Sequence, residues 1–142
     1  MAKRSVHFLP EPQTEQMEDL SERARQSLAR FARVEVTYNA IGLQLLDEWI
    51  DRHVRQFPSP NKRVMTIWGA FLGEVFRRRF NGDWAVEQER GSTRLGILCP
   101  QDSGDGLIFV PVMEQIHQRV KEGMRASLAL YYTNKGIEIK SG

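Results

Sequence analysis

Residues 60–84 read Pro60-Asn61-Lys62-Arg63-Val64-Met65-Thr66-Ile67-Trp68-Gly69-Ala70-Phe71-Leu72-Gly73-Glu74-Val75-Phe76-Arg77-Arg78-Arg79-Phe80-Asn81-Gly82-Asp83-Trp84. Val64, Ile67, Trp68, Phe71, Leu72, Val75 and Phe76 recur at helical steps and make one broad apolar face. The stretch predicts a central helix over 60–80, with Ser59 as its N-cap and Pro60 in the first helical position. Gly82 is expected to close it as a left-handed cap. Gly69 and Gly73 lie four apart on this helix, and each costs up to about 1 kcal/mol against alanine. Two such costs on one face predict the close approach of another backbone.

On the N-terminal side, Val36, Ala40, Leu43, Leu46, Ile50, His53 and Phe57 follow the same period and predict a helix over 36–57, stopped by Pro58. Met17, Leu20, Ala24, Leu28 and Phe31 predict a further helix over 13–32, whose other face is charged. It is expected to cover the core rather than build it. Residues 1–12, with Pro10 and Pro12, read as an extended arm. On the C-terminal side, Trp84, Val86 and Gln88 alternate with Ala85, Glu87 and Glu89, and Leu95, Ile97 and Cys99 alternate after the turn at 90–93. This is the pattern of an antiparallel hairpin with strands 84–89 and 94–99. Residues 101–106 are a loop by composition, and Leu107-Ile108-Phe109-Val110 reads as a third strand. A last helix is expected over 111–133, with Gly123 as a break point, and 137–142 as a tail. The fold class is therefore α+β: four helices on one small antiparallel sheet of about three strands, forming a single domain over 13–136.

Composition bounds what such a domain does. The chain has 142 residues and a formal charge of +2, which is too small to imply a nucleic-acid partner. The basic excess lies in 61–94, at Arg77, Arg78, Arg79, Arg90 and Arg94. Cys99 is the one cysteine, so no disulfide forms within the chain. No apolar run approaches membrane-spanning length, and the apolar stretch before Pro10 is too short for a signal peptide. A cytoplasmic location is expected, with no membrane partner and nucleic acid disfavoured.

The segment Gly69–Trp84 resembles a signature of small uncharacterised bacterial domains: glycine, an aromatic, Gly-Glu, a basic helix end, a glycine turn and tryptophan. The resemblance covers roughly residues 60–125. It implies an α+β fold with helices on one side of a small sheet, and it implies no activity.

Glu74 and His53 are the candidate catalytic residues. Glu74 falls at the margin of the apolar face, where burial would raise its pKa and suit it to act as a base. Its structural reading is an ion pair with Arg77 or Arg78. His53 lies on an apolar stripe, where a packed histidine with one hydrogen bond is the structural alternative. Arg77, Arg78, Arg90 and Arg94 form a candidate anion-binding patch, although cations at a helix C-terminus are also favoured by the helix dipole.

Glu114-x-x-His117 occurs once, whereas a di-iron bundle needs two such motifs. Asp47, Asp51 and His53 do not present three ligands on one face. No metal and no cofactor are expected, and neither phosphate-binding glycine loop is present. The leading expectation is a non-enzymatic protein-interaction or regulatory module, binding another protein or a second copy of itself through the first helix and the arm. The alternative is a small enzyme or small-ligand binder with a cleft around Glu74.

Overall fold

The computed structural model describes residues 5–104 and 106–141. The elements run β1 (Ser5–Phe8), α1 (Glu11–Ala32), α2 (Ala40–Gln56), α3 (Lys62–Phe80), β2 (Asp83–Glu89), β3 (Ser92–Pro100), β4 (Leu107–Val110), α4 (Val112–Glu122), a 3-10 turn (Gly123–Ala126) and α5 (Leu128–Ser141). The α+β class holds, with five helices and four strands among the described residues. The sheet is antiparallel throughout, in the order β1-β2-β3-β4.

The fourth strand comes from the arm. Ser5 to Phe8 pairs with Gln88 to Ala85 along the edge of the hairpin. Four residues with Phe8 exposed carry too little alternation to announce a strand; the unpaired edge of β2 recruits them. The extra helix comes from Gly123, whose φ of 68° ends α4. The expected tail at 137–142 is helical through Ser141, with Gly142 outside the described residues, because Ile139 is buried in the core.

Local caps also differ from expectation. The side chain of Asn61, not Ser59, accepts from Val64 N at 2.9 Å, so Pro60 lies outside α3. Asn39 caps α2 in the same way through Gly42 N, which leaves residues 36–39 outside that helix. Asn81, with φ 54°, is the left-handed residue after α3, in place of Gly82. Asparagine tolerates this conformation, and Gly82 is needed small, since a Cβ there would lie 2.6 Å from Ile97 Cγ2. The hairpin turn is two residues, Arg90 and Gly91, both at positive φ as primed turns require.

The core is continuous across all layers: Leu28 of α1, Leu43 and Leu46 of α2, Trp68, Phe71 and Phe76 of α3, Ile97 of β3, and Ile116 of α4 are fully or almost fully buried. α1 therefore builds the core of its own domain instead of only covering it. The two α3 glycines receive side chains, not a backbone. Trp84 of β2 fills the space beside Gly73, and Met113 of α4 fills that beside Gly69. Among the described residues, no helix is long and apolar enough to cross a membrane.

Candidate functional site

Glu74 sits on the buried face of α3, one step after the glycine that admits Trp84, and its side chain is fully buried. Its Oε1 accepts from Arg77 Nη2 at 2.8 Å and from Arg78 Nε at 3.1 Å. Its Oε2 accepts from Arg77 Nε at 2.7 Å and from Trp84 Nε1 at 2.8 Å. A carboxylate has about four acceptor sites, and here four bonds use them. Burial alone pushes the carboxyl upward, but the Arg77 hydrogen bonds, the Trp84 N–H and the arginine charges outweigh it. The group is held below the ordinary carboxylate range, as an ionised strut between α3 and β2.

The structure does not bring His53 to Glu74. His53 stands on α2 with its ring edge-on to Trp68 (5.2 Å, 88°) and beside Phe57. Trp68 precedes Glu74 by six residues, roughly 9 Å along the helix axis. The His53 side chain makes ring contacts and no hydrogen bond among the described residues.

The four expected anion-binding arginines are divided as well. Arg77 and Arg78 serve Glu74, and Arg78 also lies 3.9 Å over the Tyr38 ring. Arg94 bridges Glu87 and Glu114, with 2.9 Å to the latter. Arg90, in the hairpin turn, lines a hollow with Arg94, Glu87 and Glu89. Most of the central basic excess is thus neutralised at short range. Glu114 is an arginine partner rather than half of a metal motif, and no cluster of three metal-ligating side chains occurs among the described residues.

A second buried network had no signal in the sequence. Asp47 of α2 accepts from Arg119 Nε at 2.7 Å, from Ser127 Oγ at 2.9 Å, and from the backbone N–H groups of Leu128 and Ala129. It caps α5 from across the fold and pairs with an arginine that is 1% exposed. Arg119 also reaches Asp51 at 2.6 Å. The partners lie 72 residues or more apart from Asp47, so only the tertiary fold joins them.

The concave feature nearest His53 is a cavity of about 370 Å³ where α1, α2 and the first half of α3 meet. Trp49, His53, Val64, Ile67 and Trp68 form its apolar side, and Arg23, Arg30 and Arg63 stand around it with Gln26 and Ser27. Trp49 and Trp68 meet edge to face at 6.3 Å. No acidic residue lines it, and none of its three arginines has a carboxylate partner among the described residues. The spacing Arg23, Gln26, Ser27, Arg30 is a helical stripe that sequence reading could have singled out. It was obscured because α1 carries charge on most of its outer positions. A larger cavity of about 580 Å³ lies between α3, β3 and α4, lined by Met65, Leu95, Met113, Lys62 and His117. No protein-family model matches the chain, and neither a curated protein nor a solved structure gives a significant match.

Proposed function

We propose that this is a cytoplasmic, non-enzymatic protein-interaction module whose binding face is the cavity between α1, α2 and α3. One observation carries the reading. Arg23, Arg30 and Arg63 line a cavity with two tryptophans and have no carboxylate partner among the described residues, whereas the arginines around Glu74, Glu87 and Asp47 are all paired. Aromatic side chains lining a hollow with exposed arginines around it are the composition of a recognition surface. The alternative that placed chemistry at Glu74 has less support, since that carboxylate has every acceptor site occupied.

The test is affinity purification of the tagged chain from its source cells, compared with a Gln26→Trp chain. Gln26 is exposed at the cavity, so the larger ring blocks the hollow without removing a core contact. The expected result is a protein enriched by the natural chain and lost with Gln26→Trp. Equal enrichment by both chains would overturn the face assigned.

A further inference from the structure

The chemistry of the same cavity restricts what its partner presents, so the inference here rests on the interaction-module reading above. Among the described residues, the Asp, Glu, Lys and Arg side chains lining the hollow are all arginines. Trp49 is half-buried and Trp68 is 1% exposed, and both line the hollow. An apolar lining and three guanidinium groups with no carboxylate partner among the described residues complement a ligand that is apolar at its tip and anionic around it.

Size narrows the choice. At about 370 Å³ the hollow is near the lower end of pockets that enclose a whole small ligand, roughly 300–1,000 Å³. It has room for one apolar side chain, and Arg23, Arg30 and Arg63 around it are all exposed, so that a longer segment can engage them from outside the hollow. We infer that the partner contributes an acidic peptide segment, which seats one apolar side chain against Trp49, Ile67 and Trp68 and sets flanking carboxylates on Arg23, Arg30 and Arg63.

The probe is an acetylated, amidated peptide of one phenylalanine flanked on each side by two glutamates, titrated into the full chain. The readout is the set of three indole N–H signals in a nitrogen–proton NMR spectrum, with Trp49→Phe and Trp68→Phe chains used for assignment. The expected result is a saturable shift of the Trp68 signal while the Trp84 signal stays in place. Binding should weaken about tenfold in the Arg23→Ala/Arg63→Ala double variant and fall further at high salt. Replacing the glutamates by lysine, or the phenylalanine by alanine, should abolish the shift. Both arginines are exposed, and an unchanged melting temperature verifies that the double variant is folded.

No saturable shift at millimolar peptide, or binding indifferent to the two arginines, would overturn the inference. Phenylacetate binding as tightly as the peptide would also overturn it, by giving the cavity to small carboxylates. Two failures are separable. A peptide that does not bind, beside a partner still displaced by Gln26→Trp, removes the acidic-segment inference and leaves the module. Absence of any partner sensitive to Gln26→Trp removes the module, whatever the peptide does.

Discussion

The indole Nε1–H of Trp84 donates to Oε2 of Glu74 over 2.8 Å, and the far edge of the same ring occupies the space where a side chain on Gly73 would begin. One tryptophan thus ties β2 to two consecutive positions of α3, by a charge-assisted hydrogen bond and by shape. The glycine has a cost in helix propensity, and the buried carboxylate has a cost in desolvation. Each is offset by the same ring or by the arginines beside it.

The Glu74 carboxylate should make stability depend on acid. Its folded pKa lies below the unfolded value near 4.5, so its contribution is complete above that value and is lost as pH falls through the lower folded one. Glu74→Gln sets an amide N–H against donors from arginine or Trp84 and should cost about 2 kcal/mol at neutral pH. Its acid limb should be shallower than that of the natural chain. Glu22, held down to about 2 mainly by its hydrogen bond from Arg25, titrates in both chains and cancels in the comparison. Melting curves across pH 2 to 7 check this. Parallel acid limbs would remove Glu74 as the source.

The two α3 glycines should respond in opposite ways to alanine. A Cβ on Gly73 would lie 2.1 Å from Trp84 Cη2, on a rigid ring already pinned by Glu74. Overpacking of that kind costs about 1–3 kcal/mol, more than the roughly 1 kcal/mol gained in helix propensity. A Cβ on Gly69 would meet the Met113 thioether at 2.1 Å, the far end of a flexible chain that can move. Urea denaturation should show Gly73→Ala destabilised and Gly69→Ala near neutral or better. A Gly73→Ala chain as stable as the natural one would show that Trp84 repacks freely.

Asp47→Ala should be among the most damaging single changes. It leaves the Arg119 guanidinium, 1% exposed, without its main partner, and removes the acceptor for the first N–H groups of α5. Breaking a buried pair on one side costs about 3–5 kcal/mol. Hydrogen exchange should quicken first along Leu128–Ser141. Uniform loss of protection over all helices would instead place Asp47 in the global unfolding unit.

Cys99 should be inert in the folded protein. It is fully buried, and burial first, with the charge of Asp83 second, pushes its thiol up to about 12. Alkylation at pH 8 should proceed only through unfolding and accelerate with denaturant. Fast labelling of the native chain, measured by mass spectrometry, would contradict the burial.

Much of this fold was legible from residues near one another in the chain. Trp68, Phe71, Leu72 and Val75 announce α3 by period, and Trp84 to Cys99 announce the hairpin by alternation. β1 was not legible, because four residues at a sheet edge take their structure from the strand they pair with. The site was less legible still. Glu74 was singled out by its place on the apolar margin, but the wheel could not say that Trp84 would reach it or that Arg77 and Arg78 would both close on it. Arg23, Arg30 and Arg63 were passed over, since nothing along the chain distinguishes an unpaired surface arginine from a paired one.

The sequence by itself determined the helix periods, the turns and the excess of charge, because those depend on φ/ψ preference and on spacing within a few residues. Tertiary structure alone decided which charges distant in the chain cancel. Asp47 meets Arg119 across 72 residues, Arg94 meets Glu114 across 20, and three arginines from α1 and α3 are left around Trp49 and Trp68 with no carboxylate partner among the described residues. A charge acts over a few ångströms of space, and only packing sets which distant residues come that close.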